Sequence, residues 1–230
     1  MANSPTISII VPCWGDDELL RKLAWEWAEM PRALEVIIVT ASQQEPLKSQ
    51  DRVRVLSADR PNRGMQMNLG AAAATGDILL FHHADSTLTS EHLESIETQM
   101  KNESVVGGAF HRSFDSRHPA FQWIRHFERW RNQHHGSLFG DQSIFVRAAH
   151  FKKMGGFREY PLMEDMEFSR RLRKSGRICL LDPPIVSSAR RHLQRGAWRT
   201  SLQNALFILL YHLGFSPNTL HRWYYSLKKS

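Results

Sequence analysis

Asp77–Leu88 reads DILLFHHADSTL, and the order of these residues decides the fold. Ile78–Phe81 is an unbroken apolar run of strand-like length. It lacks the alternation of a half-exposed strand, so it is expected to be covered on both faces, as in a parallel sheet between helix layers. Two histidines and an aspartate follow immediately. In open α/β sheets, ligands sit beyond the carboxyl ends of the strands, which makes His83, Ala84 and Asp85 candidates for a site. The ordinary alternative is a polar turn closing the strand, a place that also favours Asp.

Working outward, TISIIVP (6–12) and LEVIIVT (34–40) are β-rich runs, and VRVLSA (53–58) is a third, shorter one. DDELLRKLAWEWAEM (16–30) carries apolar residues at helical spacing. RGMQMNLGAAAATG (63–76) reads as a helix with Gly76 as its terminating residue, ahead of DILLFHHAD as the fourth strand. This alternation makes parallel pairing the economical topology for the first hundred or so residues. From Gly107 the pattern changes. VVGGAFHRSF reads as a strand, PAFQWIRHFERWRNQHH as an amphipathic helix, and QSIFVRAAHFKKMGGF as a strand running into a short helix. EDMEFSRRLRKSG is a helix closed by Gly176, RICLLDPPIVSSAR one or two strands, and Thr200–Leu213 a final helix.

The chain has 230 residues, 42% hydrophobic and 23% charged, values of an ordinary globular domain. One domain is expected, with a nucleotide-binding half at 1–106, a second half at 107–190 and a basic, aromatic helical extension at 191–230. Thirty basic residues against 23 acidic ones leave a formal charge of +7, concentrated toward the C-terminus, which implies an anionic partner. Cys13 and Cys179 form no CxxC arrangement, excluding a disulfide framework and a thiolate zinc site and favouring a reducing, cytoplasmic compartment. The opening MANSPTISIIVP lacks the basic and apolar regions of a signal peptide, and ALFILLYHLGF (205–215) is too short to span a bilayer.

Two acidic positions carry the candidate chemistry: Asp85, and the pair Glu164-Asp165 opening a helix after PLM. Acidic residues in a first helical turn also stabilise the helix dipole, so capping is the plain reading of that pair. Arg63 suits a phosphate, because its guanidinium can make two parallel hydrogen bonds, and it reads equally as a solvated loop arginine. His134 and His135 are adjacent and point apart on a helix, so they are helix-end residues and not a metal pair. No GxxxxGK, GxGxxG or GxSxG motif is present.

Taken together, these segments resemble the family 2 glycosyltransferases of GT-A type, and within them a small bacterial subgroup of unknown substrate. ISIIVPCWGDDELL resembles the family's first strand and loop, and RPNRGMQMNLGAAAATGDILLFHHADS its arginine helix and metal segment. GGFREYPLMEDMEFSRRLRKSGR resembles its acceptor-side Glu-Asp segment. The resemblance implies a single Rossmann-like α/β domain, the GT-A fold, with a mixed, mostly parallel sheet flanked by helices and a C-terminal helical segment. It implies inverting transfer from a nucleotide-diphosphate sugar to an acceptor hydroxyl, assisted by Mn2+ or Mg2+. Asp165 is then the general base, while Asp85 and His83 hold the metal. Pro12, Trp14 and Asp16 contact base and ribose, and Arg63 and Asn68 lie on the arginine helix. Gly140, Asp141 and Gln142 shape the acceptor pocket, and Ala84, Glu164 and Arg191 complete the substrate-contacting set.

The chain departs from the family pattern in reading His83-Ala84-Asp85 where Asp-x-Asp is usual, and Thr40 where an acidic residue commonly recognises the base. His192 lies where some relatives supply a metal or diphosphate contact, and also reads as a surface histidine. The basic, aromatic tail suits either a helix packed on the sheet or a peripheral contact at the inner face of a membrane, with a lipid-linked acceptor. A catalytically silent GT-A-like binding protein and a nucleotidyltransferase are the rival readings. A nucleic-acid binder would leave Asp85 and Asp165 without a purpose.

Overall fold

All four side chains of Ile78–Phe81 are buried, at most 3% exposed, and alternate residues enter two different cores. The computed structural model describes residues 5–13, 35–41, 52–124, 138–190, 193 and 196–226. The strands are β1 (Ile7–Cys13), β2 (Glu35–Thr40), β3 (Val53–Ser57), β4 (Ile78–Phe81), β5 (Ser86–Thr87), β6 (Val105–Phe114), β7 (Ile144–Arg147) and β8 (Arg177–Ser187). The helices with complete bounds are α1 (Arg63–Ala73), α2 (Ser90–Met100), α3 (Ala148–Lys153), α4 (Glu164–Ser175), α5 (Ala197–His212) and α6 (Pro217–Ser226). Residues 119–124 are also helical. The expected helix at 16–30 and His134, His135 and His192 lie outside the described residues.

The eight strands form one sheet in the order β3-β2-β1-β4-β7-β6-β8-β5. β3, β2, β1 and β4 run parallel, as the alternating pattern predicts. β7 enters antiparallel between β4 and β6, β6 and β8 are again parallel, and the two-residue β5 closes the far edge antiparallel to β8. On one face Ile78 and Leu80 pack with Ile9, Val11, Val36 and Ile38 beneath Leu93, Ile96 and Met100 of α2. On the other, Leu79 and Phe81 pack with Ile10 and Val146 against Met67 of α1, Phe151 of α3, and Phe168 and Leu172 of α4. Burying each such side chain stabilises the fold by roughly 1.5–3 kcal/mol. Helices thus cover both faces, and that explains the unbroken apolar run.

Several expectations need correction. α1 stops at Ala73, with Ala74 extended, so Gly76 does not terminate it. Gly76 instead lies against Ser8, to whose hydroxyl its N–H donates at 2.8 Å, and a Cβ there would sit 2.6 Å from that oxygen. β4 ends at Phe81, before the histidines. RICLLDPPIVSSAR, expected to give one or two strands, supplies one, β8, with register shifts against β6. The last long helix starts at Ala197, and a further helix, α6, follows it.

Gln66 holds the carboxyl ends of β1 and β2 in place. Its buried Nε2 donates to the Cys13 carbonyl at 2.7 Å and the Val39 carbonyl at 2.8 Å. Replacing it with an apolar residue of similar size removes both bonds from a dry environment. Gln66→Leu is expected to cost about 2 kcal/mol of unfolding free energy by urea titration; an unchanged midpoint would remove this amide from the framework.

Candidate active site

Beyond the carboxyl ends of β1 and β4 lies a cavity of about 860 Å3. Its polar wall is built from α1 and α4. Asn62 caps α1 by accepting the Met65 N–H at 2.9 Å, which makes Arg63 the first helical residue and points it at the cavity. Gly64 allows this helix end to press on the loop that precedes α4, because a Cβ there would lie 2.5 Å from the Arg158 carbonyl oxygen. Two further bonds fix the same approach: the Asn68 amide donates to the Phe157 carbonyl at 2.9 Å and accepts the Phe157 N–H at 2.8 Å.

The chain enters α4 through Met163, a non-glycine residue with φ 66°. Such a conformation costs about 1 kcal/mol and is typically retained where it positions functional groups. Here it delivers Glu164 and Asp165 together to the cavity wall. Asp165 is clamped at both oxygens, by the Gly140 N–H at 2.7 Å and the Met166 N–H at 2.7 Å. Each oxygen retains a second lone pair. The Arg63 guanidinium lies directly over Gly140, and a Cβ at that position would collide with it. Gly140, Arg63 and Asp165 therefore form one packed unit.

Glu164 is 5% exposed, with Arg63 Nη1 3.6 Å from its Oε1. Burial pushes its carboxyl up to about 7; the Arg63 charge opposes this and the neighbouring Asp165 adds to it. The histidines after β4 have separate tasks. His82 is fully buried, with Nε2 3.1 Å from the Ser86 carbonyl and Nδ1 2.8 Å from the Ser143 hydroxyl. A carbonyl only accepts, so Nε2 carries the proton and Nδ1 accepts from Ser143. Burial drives its pKa down to about 4, leaving a neutral ring that shapes the turn. His83 faces the cavity, and its Nδ1 is 3.8 Å from Asp85 Oδ1.

The cavity brings together Pro12, Arg63, His83, Asp141, Glu164 and Asp165. A narrow pocket next to it joins Gly140 to Arg63, His83 and Asp165. Asp85 lies next to His83 and does not line this cavity. Asn68 is committed to the Phe157 backbone, and Ala84 packs against the core. The buried Gln142 donates to the Phe110 carbonyl at 3.1 Å and accepts the Phe139 N–H at 2.9 Å, so it supports the turn and does not contact the cavity. Trp14, Asp16 and Arg191 lie outside the described residues.

Sequence reasoning missed Arg112, which forms an ion pair with Asp141, and the apolar wall from Trp123, Ile124, Phe207 and Tyr224. Arg112 sits on β6, far in sequence from its partner, with no local pattern to mark it. The tail was visible as aromatic, and it is α5 and α6 that close this side of the cavity.

The glycosyl transferase family 2 model matches residues 8–158. The chain belongs to glycosyl transferase family 2. Solved structures agree on the fold, a GT-A arrangement. TarS of S. aureus is 16% identical with a TM-score of 0.60, over 80% of this chain and 36% of that one. TarS 1–349 in complex with UDP is 15% identical with a TM-score of 0.60, over 80% of this chain and 60% of that one. The mannosyltransferase PcManGT from Pyrobaculum calidifontis, in complex with GDP-Man and Mn2+, is 16% identical with a TM-score of 0.64, over 94% of this chain and 67% of that one. This family 2 member thus spans less than two thirds of either TarS chain. No curated protein matches it by sequence. The matched region includes Arg63, His83, Asp85 and Gly140, whereas Asp165 lies just beyond it.

The position of Glu164 has a pH signature. Its folded-state pKa of about 7 exceeds the ordinary 4.5, so the folded state binds more protons between those values. Stability contributed by this residue therefore falls as pH rises from about 4.5 to about 7 and is level above that. Urea titrations of wild type and Glu164→Gln are expected to diverge progressively across this window, with the variant gaining relative stability; parallel curves would contradict the burial argument.

Proposed function

We propose that this protein transfers a sugar from a nucleotide-diphosphate donor to an acceptor hydroxyl with inversion at the anomeric carbon. The observation that carries this reading is the packed unit of Arg63, Gly140 and Asp165, a cation and an oriented carboxylate on one cavity wall. Arg63 is placed to bind diphosphate oxygens through its fork of N–H donors. Asp165, held rigidly by two backbone N–H groups, accepts the proton of the acceptor hydroxyl as that oxygen bonds to the anomeric carbon. The bond from that carbon to the diphosphate breaks on the opposite side, and the nucleotide diphosphate departs with its electron pair. Glu164 pairs with Arg63 on the same wall, 3.6 Å from its Nη1, and would steady the guanidinium.

His83 and Asp85 would hold the divalent metal. His83 Nδ1 and Asp85 Oδ1 lie 3.8 Å apart, an imidazole beside a carboxylate, both of them donors that suit a divalent transition-metal ion. No group of three or more metal-binding side chains occurs among the described residues, so this pair is the set proposed to hold the ion. An imidazole with one carboxylate favours Mn2+ over Mg2+. When bound, the ion offsets the negative charge developing on the departing diphosphate.

The donors bound by the similar structures, UDP-GlcNAc in TarS 1–349 and GDP-Man in PcManGT, define the first compounds to screen here. With the donor that raises the melting temperature most, Asp165→Asn is expected to lower kcat by about a thousandfold or more while leaving that thermal shift intact. Asp85→Ala should instead reduce the Mn2+-dependent part of the shift. Transfer by Asp165→Asn at the wild-type rate would remove the proposed base.

A further inference from the structure

α5 is apolar on two sides. One side faces inward, where Ala205 and Ile208 line the cavity and Phe207 is 2% exposed. Along the other side run Trp198, Leu202, Leu206 and Leu209, continued by Leu213 at the C-cap; they are 48%, 63%, 50%, 55% and 68% exposed. Spaced by three or four residues, these five form one straight row on the helix surface. The inward side is already covered by the protein, and a continuous exposed apolar row of this size on the other side marks an interaction surface.

Charge identifies what covers it. Beyond Asp182 the chain contains seven Lys and Arg residues and no Asp or Glu, which equals the whole formal charge of +7. Of these, Arg199 lies on α5 beside the row and Arg222 on α6. A second copy would bring two such cationic segments together and be repelled, whereas an anionic lipid surface satisfies both the charge and the apolar row. No helix among the described residues is long and apolar enough to cross a membrane, so contact through this row would be at the surface. Exposed Trp223 on α6 adds an aromatic ring of the kind that settles at headgroup depth.

We infer that the outer face of α5 seats this protein on the surface of an anionic membrane, with Leu202, Leu206 and Leu209 entering the acyl boundary. The helix that touches the membrane also walls the cavity, so the cavity lies beside the bilayer. Resting on the transfer reading above, this assigns the acceptor to membrane-resident amphiphiles whose hydroxyl headgroup reaches Asp165.

Co-sedimentation of the full chain with vesicles tests the docking. Binding is expected to phosphatidylcholine vesicles containing a quarter phosphatidylglycerol, and to be about tenfold weaker or more with phosphatidylcholine alone. The triple variant Leu202→Ser/Leu206→Ser/Leu209→Ser should lose about tenfold or more of the anionic-vesicle binding while keeping the wild-type circular dichroism spectrum and nucleotide-sugar thermal shift. Arg199→Gln/Arg222→Gln, which leaves the row intact, should weaken binding and flatten its salt dependence. Wild-type protein that ignores anionic vesicles, or a folded triple variant that binds them equally, overturns the proposal. So does a dimer that the triple variant dissolves in the absence of vesicle binding, since that outcome gives the face to a second copy. A preserved thermal shift beside failed docking leaves the transfer reading standing.

Discussion

The hydrogen bond from the Gly140 backbone to the Asp165 carboxylate, with the Arg63 guanidinium packed on the same glycine, is the constraint on which the rest of the site depends. It joins three segments that are distant in sequence: the start of α1, the turn before β7 and the start of α4. Any side chain at position 140 would displace the arginine. Each segment is separately fixed to the fold, α1 by its Asn62 cap and the Asn68 bridge to Phe157, the turn by Gln142, and α4 by Phe168 and Leu172 in the core. A cation and a carboxylate are thereby held close without either neutralising the other in a simple ion pair. The arginine keeps donors for a ligand, and the carboxylate keeps lone pairs.

The electrostatics of the wall follow from differential burial. Glu164 and Asp165 are consecutive and chemically equivalent and both reach the cavity wall, yet the first is buried against Arg63 and driven toward the neutral acid, while the second is less buried and held by two backbone N–H groups. The two histidines after β4 divide in the same way, His82 inside and neutral, His83 at the surface of the cavity. At both places adjacent residues of like type carry different duties, because one turn of backbone sends them to environments of different dielectric.

Much of this was legible in the sequence where a local pattern determines the outcome. The run Ile78–Phe81 announced a doubly covered strand, and Glu164-Asp165 after PLM announced a helix start carrying acidic groups. Patterns with little periodicity were harder to read. α2, SEHLESIETQM, is polar over most of its length and buries only a narrow face, so it left no strong signal before the structure placed it. β5 has two residues, and α6 follows α5 too closely to be separated by pattern. At the site, some expected residues are engaged elsewhere, for one reason. Asn68, Gln142 and Ala84 sit at the right places along the chain, but tertiary partners turn them into framework: the Phe157 backbone, the Phe110 carbonyl and the sheet core. Arg112 became visible only when β6 carried it to Asp141. Asp85 does not line the cavity itself and reaches it through its neighbour His83, 3.8 Å away.

The tail connects the chemistry to its setting, since α5 closes the cavity with one side and presents an uncovered apolar row with the other. The account stands on the polar wall, and crystals grown with Mn2+ and a nucleotide-diphosphate sugar test it most directly. It predicts diphosphate oxygens on Arg63, a manganese anomalous peak bonded to His83 or Asp85, and the anomeric carbon facing Asp165 from within the cavity. A nucleotide bound away from Arg63, or a sugar whose anomeric carbon faces away from Asp165 toward bulk solvent, would contradict it.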